Sequence, residues 1–247
     1  MLSSPTNKYA GPSAAVWLLN SNTVREDDIA FFAQRLGASE AQRYACFTRR
    51  ERQRQFLLGR MLVRLAVANL TAVPADEIEI VERPGYAPRI VLPYAQQSAP
   101  NSSISHSRDW AACTVSLEAT LGIDIEVNDP GRDIVGLSQF AFQQDEQLWL
   151  SRQPDTARLP AFYQLWSTRE ALYKLMSTLG RETTLSPLNG MNGQLAQQDC
   201  DWHRYASTHS NLTIVVCSDR ALSELRQVEI TGLTLADGLS ANRELAG

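Results

Sequence analysis

The run AAVWLL (14–19) is apolar at every position and predicts a buried strand. Glu26–Leu36 places Ile29, Phe32, Ala33 and Leu36 on one side of an amphipathic helix. From about Arg49 to Leu70, RRERQRQFLLGRMLVRLAVANL has the strongest helical period in the chain. Phe56, Leu57, Met61, Leu62, Leu65 and Leu70 form its apolar face, and arginines crowd its N-terminal end. EIEIVE (77–82) alternates as a half-buried strand, Pro84-Gly85 turns the chain, and Arg89–Leu92 reads as another strand. A loop rich in Pro, Gln, Ser and Asn (93–102) leads to a short strand ending at ISHS. WAACTVSL (110–117) and LGIDIE (121–126) then read as adjacent strands joined by a short turn.

Two helical stretches follow, at about 144–151 and 159–179. From Gly193 the chain is strand-rich, with HRYAS, LTIVVCS and VEI, and the tail after Gly238 is expected to fray. Strands and helices alternate in both halves, each with one long helix. The predicted class is therefore α+β, with two related lobes, 1–118 and 119–247.

Composition narrows the function classes. The chain has 247 residues, 44% hydrophobic and 20% charged, which is ordinary for a globular protein with a sizeable core. A net charge of −4 argues against nucleic-acid binding through overall charge. Cys46, Cys113, Cys200 and Cys217 are widely spaced, with no CxxC pair, and read as reduced, mostly buried thiols. The opening MLSSPTNKYAGPS lacks a basic segment before an apolar core, and the apolar run that follows is too short for a signal or a membrane span. These features predict a soluble, cytoplasmic protein with no membrane partner.

Three stretches carry candidate chemistry, each with a plainer reading beside it. In QLWSTREALYKLM (164–176), Ser167 and Glu170 form a capping-box pattern that places a helix start at Ser167. Glu170 and Lys174 make a favourable i,i+4 pair, which is either a solvated helix face or something more. Of 23 basic residues only Lys8 and Lys174 are lysines, so an ammonium has been kept here by a chain that otherwise uses arginine. A helix start at Ser167 would seat a phosphate, with Glu170 on a cation and Lys174 on the phosphate.

In LGIDIEVN, strand alternation puts Asp124 and Glu126 on one face while Ile123 and Ile125 point to the core. That is either a half-buried strand with an acidic exposed face or a hard-cation site. Mg²⁺ takes one or two protein carboxylates and completes its shell with phosphate oxygens and water. In NSSISHSRDW, Ser105, His106 and Ser107 stand where a strand ends, either as ordinary turn residues or as groups that grip a phosphate.

The series SISHS, GIDIE, F-x-x-x-E (Phe142 to Glu146) and W-x-x-R-E-A-x-x-K (Trp166 to Lys174) resembles the 4'-phosphopantetheinyl transferases of the Sfp type, over roughly residues 40–180. Glu40, Arg43 and Phe47, in E-x-x-R-x-x-x-F, are also similar to the family's first lobe. The resemblance implies an α+β pseudo-dimer of two related lobes, with coenzyme A in the cleft between them. It implies Mg²⁺ as cofactor, coenzyme A as substrate, and apo acyl or peptidyl carrier proteins of fatty acid, polyketide or peptide synthesis as partners. Because the two lobes already form a cleft, a monomer is the expected state.

Residue by residue, Asp124, Glu126 and Glu170 match the family's magnesium ligands. Glu170 also matches its proposed general base and Lys174 its phosphate-binding lysine. Ser105 and His106 match groups on the coenzyme A phosphates, and Arg43 matches an arginine near the 3'-phosphate. The family's G-K-P turn reads GYAP here (85–88), with Arg83 or Arg89 as substitutes for its lysine. Arg169 replaces a lysine, and Ser177 and Leu179 replace two glycines, with Gly180 displaced by one. Apolar residues around 137–150 and Arg132 are candidates for docking the carrier. Two other readings remain open: a metal-dependent phosphoesterase, and a degenerate module that binds coenzyme A or carriers without turnover.

Overall fold

The structure is a computed structural model that describes residues 11–83, 86–94, 98–181 and 202–240. Lys8, Pro84, Gly85, Cys200, parts of the 93–102 loop and the start of the strand-rich segment lie outside the described residues. In chain order the elements are β1 (Ser13–Asn20), α1 (Glu26–Ala33), α2 (Ala38–Ala45), α3 (Arg50–Thr71), β2 (Glu79–Arg83), β3 (Tyr86–Val91), β4 (Asn101–Ser107), β5 (Trp110–Ser116) and β6 (Leu121–Val127). They continue with α4 (Ile134–Ala141), α5 (Gln144–Ser151), α6 (Asp155–Thr178), β7 (His203–His209), β8 (Leu212–Ser218), β9 (Glu224–Ile230) and α7 (Gly232–Ser240).

Among the described residues three sheets form: β4-β5-β1-β9, the hairpin β2-β3, and β6-β8-β7. The alternation of β1 explains how they stack. Ala15, Trp17 and Leu19 join a core beneath α3 with Leu58, Met61 and Leu62. Ala14, Val16 and Leu18 face the opposite way, into a second core with Ile123 and Ile125 of β6 and Ile214 and Val216 of β8. On the far side of that sheet, Val215 and Cys217 pack against Ala171, Leu172 and Leu175 of α6. The order of layers is thus α3, first sheet, second sheet, α6, which is the expected mixed α+β class. The C-terminal strand β9 pairs parallel to β1, so the first sheet is completed by the end of the chain.

One expectation is corrected by the sheet topology. β5 and β6 are not paired neighbours: β5 lies between β4 and β1, whereas β6 pairs with β8. The connection turns at Ser116, whose Oγ accepts the N–H groups of Glu118 and Ala119 and starts the chain toward the second sheet. Helix α7 runs through Gly238 to Ser240 with Leu235 and Leu239 in the core under α3, and the tail beyond Ser240 lies outside the described residues. Tertiary burial overrides the poor helix propensity of the two glycines in α7.

Short helices α2 and α4 were not predicted either. The start of α2 is held by the Gly37 N–H donating to Glu40 Oε2 at 2.9 Å, with Glu40 in turn gripped by Arg64 at 3.0 Å. Asp133 caps α4 by accepting the Gly136 N–H at 2.9 Å. Among the described residues, no helix is long and apolar enough to cross a membrane. Cys113 and Cys217 are buried free thiols and Cys46 is exposed; burial pushes the Cys217 thiol up to about 12.

Candidate functional site

Strand β6 is covered on both faces. Its odd-numbered isoleucines enter the core between the sheets, and its even-numbered residues lie under α6. The helix comes unusually close because residue 122 is glycine. A Cβ there would stand 2.0 Å from the Ala171 carbonyl oxygen and 2.7 Å from the Leu175 nitrogen. The acidic face of β6 is therefore not a solvated one: Asp124 is only 6% exposed.

This close approach delivers Lys174 onto Asp124. The Lys174 ammonium donates to Asp124 Oδ1 at 2.9 Å, to the Ile123 carbonyl at 2.8 Å and to Ser105 Oγ at 3.2 Å. Three donors meet three acceptors, which exhausts an ammonium. A planar guanidinium fork would not fit this tetrahedral arrangement, which accounts for a lysine in an arginine-rich chain.

The acidic pair is held from β4. Ser105 Oγ donates to Asp124 Oδ1 at 2.9 Å, and Ser107 Oγ donates to Glu126 Oε2 at 2.8 Å. Asp124 Oδ2 is buried without a partner. Burial raises the Glu126 carboxyl above its ordinary value; the Ser107 hydroxyl opposes this, and the Asp124 charge adds to it. Arg132 Nη1 lies 3.9 Å from Glu126 and its guanidinium stands over the Trp166 ring. His106 points away from the pair, with Nε2 3.0 Å from Arg52 Nη1. Burial first, and the Arg52 charge second, hold this imidazole below its ordinary value. Since a guanidinium can only donate, Nε2 is the acceptor.

The other sequence-predicted residues stand apart from this cluster. Arg43 is mostly exposed, 3.7 Å from Glu82, which also binds Arg60. Arg83 donates twice to the Ala87 carbonyl and so ties the β2-β3 turn to itself. Glu170 is exposed on α6. The phosphate seat at Ser167 is overturned: α6 begins twelve residues earlier, at Asp155, and Ser167 lies buried in mid-helix with an unpartnered hydroxyl. Helix N–H groups there are already bonded, so no free helix end exists at that point.

The donor set nevertheless suits a hard divalent cation. Two carboxylates share one strand face, and one of their buried oxygens lacks a partner. Among the described residues, no group of three His, Cys, Asp or Glu side chains is placed to hold a metal; Asp124 instead carries the Lys174 ammonium. Beside Lys174 opens a cavity of about 220 Å³ lined by Arg60, Pro88, Ile104 and Tyr173.

Sequence reasoning missed two contacts. The contact of Ser107 with Glu126 is one: Ser107 read with Ser105 and His106 as a strand-end group, although serines at every second position of NSSISHS were the available signal for a shared inward face. The other is the pair between Arg169 Nη1 and the buried Glu146, at 2.8 and 3.0 Å to its two oxygens, which ties α5 to α6. Glu146 also accepts the Gln143 N–H at 2.7 Å. Arg169→Ala strands this carboxylate, and a loss of about 3–5 kcal/mol is expected. Thermal unfolding should show it as a fall of roughly 6–20 °C for a chain of this size, with a smaller fall for Arg169→Lys. An unchanged melting temperature in the alanine variant would remove this pair from the account of the α5-α6 contact.

Comparison with known proteins now bears on this geometry. The pattern of the 4'-phosphopantetheinyl transferase superfamily matches residues 120–217. The chain is similar to the 4'-phosphopantetheinyl transferase psf-1 of Bacillus pumilus, at 35% identity over 49% of this chain and 49% of the relative. It is 27% identical to the L-aminoadipate-semialdehyde dehydrogenase-phosphopantetheinyl transferase of Mus musculus, over 76% of this chain and 62% of the relative. The 4'-phosphopantetheinyl transferase AcpT of Escherichia coli is 25% identical over 68% of this chain and 76% of its own. The chain thus spans about half to three fifths of the length of the first two relatives. The matched segment holds the Asp124, Glu126 and Lys174 constellation, and it is this part of the chain that is similar to the 4'-phosphopantetheinyl transferase superfamily.

Proposed function

We propose that the protein, as a cytoplasmic monomer, transfers 4'-phosphopantetheine from coenzyme A to a serine of an apo carrier protein and releases adenosine 3',5'-bisphosphate. The observation that carries this reading is the half-satisfied Asp124: Lys174 and Ser105 occupy Oδ1 while Oδ2 is buried and unpartnered. A buried carboxylate oxygen in that state calls for a further partner beyond the Lys174 ammonium, and a divalent cation is one that would serve. Asp124 and Glu126 are the residues that would hold Mg²⁺, while Glu170 of α6, which the resemblance adds as a third ligand, is exposed and stands apart from them in this structure. When bound, Mg²⁺ would supply charge neutralisation for the diphosphate of coenzyme A.

The chain's own groups do the rest by positioning and charge. The carrier serine Oγ attacks the pantetheine-side phosphorus, and the bond from that phosphorus to the oxygen bridging the two phosphates breaks. The exposed Glu170 carboxylate takes the serine proton. Lys174 turns from Asp124 to the departing bisphosphate, for which its flexible stem and half-buried ammonium are suited. Neutral His106 and the Arg52 beside it offer hydrogen bonds to the phosphates. For the carrier, exposed Val135, Phe140 and Leu148 around α4 and α5 provide an apolar seat.

The test is direct. The protein is incubated with coenzyme A, Mg²⁺ and a panel of apo carriers, and each carrier is weighed. A phosphopantetheine-sized gain that disappears with EDTA is expected. No gain with any carrier overturns the assignment; phosphodiester hydrolysis without a carrier would point to a phosphoesterase, and coenzyme A binding without turnover to a binding module.

A further inference from the structure

Strands β4 and β6 are edges of two different sheets, and their backbones pair elsewhere. Serine side chains join them. The N–H groups of Ile123, Ile125 and Val127 donate in turn to the hydroxyls of Ser103, Ser105 and Ser107, at 3.1, 3.3 and 3.1 Å. Strand alternation puts all three serines on one side of β4, so a period of two on one edge matches a period of two on the other. Buried edge N–H groups that lack a ladder are thereby satisfied.

Each hydroxyl still has one proton to donate. Ser105 spends it on Asp124 Oδ1 and Ser107 on Glu126 Oε2, whereas among the described residues Ser103 bonds no carboxylate. Two of the three seam bonds therefore also aim an acidic side chain. For Glu126 the alternative support is weak, since Arg132 lies 3.9 Å away and is about one-third exposed.

Building on the transferase reading, we propose that Ser107 is a positioning residue: anchored by the Val127 N–H, its hydroxyl holds the Glu126 carboxylate in the orientation that lets it share a divalent cation with Asp124. Ser103 provides the internal comparison, because it makes the same kind of seam bond without bonding an acid among the described residues.

The experiment uses the full chain and Mn²⁺ as the probe. Mn²⁺ affinity is measured by electron paramagnetic resonance for the parent protein, Ser107→Ala, Ser107→Thr and Ser103→Ala, together with melting temperature and transfer kinetics. The two alanine variants should lose similar amounts of melting temperature. Only Ser107→Ala should weaken Mn²⁺ binding, by roughly 10–100-fold, and lower kcat by a similar factor while KM for coenzyme A stays nearly constant. Ser107→Thr restores the hydroxyl and should recover both.

If Ser107→Ala does not fold, Ser107→Cys, a weak donor of similar shape, takes its place with the same expectations. Unchanged Mn²⁺ affinity in the Ser107 variant overturns the proposal. So does an equal loss in Ser103→Ala, which would make the seam merely structural, or absence of Mn²⁺ binding to the parent protein. Failure of the transferase reading looks different: Mn²⁺ affinities keep their order, yet the parent protein modifies no carrier.

Discussion

Asp124→Asn is expected to lower carrier modification about a thousandfold or more while leaving the chain folded. The substitution keeps the shape of the side chain and one oxygen for the Ser105 and Lys174 bonds, so the local packing survives. What it removes is the negative charge, in a site where only 6% of the residue is exposed and water cannot compensate. Loss of a single preorganised electrostatic group in such a site costs on the order of 10²–10³ in rate, and here the same change also weakens the hold on the cation. Lys174, half-buried and now facing a neutral partner, should cost roughly 1–3 kcal/mol of stability. Weighing the carrier after a timed reaction and melting the variant give the two readouts. A variant that modifies its carrier at the parent rate would dismiss Asp124 from the site.

The second large effect is structural. Gly122→Ala should destabilise the protein by about 3 kcal/mol or more, because the added Cβ meets helix backbone, which cannot swing aside as a side chain can. The expected fall in melting temperature is roughly 6–12 °C. Gly11→Ala is the control: the nearest atom to a Cβ there is 3.6 Å away, and the melting temperature should hardly move. Activity should fall further in Gly122→Ala than stability alone explains. Moving α6 away from β6 shifts Lys174, the residue before Leu175, off Asp124 and Ser105. An alanine variant that melts with the parent protein would mean that the close approach of α6 is not what places Lys174.

Much of this protein was legible before folding was considered. The helix at Arg50–Thr71 and the strands carrying SISHS and GIDIE follow from periods of 3.6 and 2 in a one-dimensional pattern. The same alternation correctly separated Asp124 and Glu126 from Ile123 and Ile125. Local rules failed where a local pattern competed with burial. Ser167 and Glu170 have the spacing of a capping box, yet the buried Phe162, Tyr163 and Leu165 carry the helix through that point. Ser105 read as a strand-end phosphate donor, and its hydroxyl is turned inward to Asp124.

The sequence by itself determined which residues lie on which face of each element, since that depends only on neighbours a few positions apart. Tertiary structure alone decided which faces meet. Ser105 and Asp124 are 19 residues apart, Asp124 and Lys174 50, and Ser105 and Lys174 69. They converge because one glycine lets a helix rest on a strand and because serines join two sheet edges, and no local period encodes either contact.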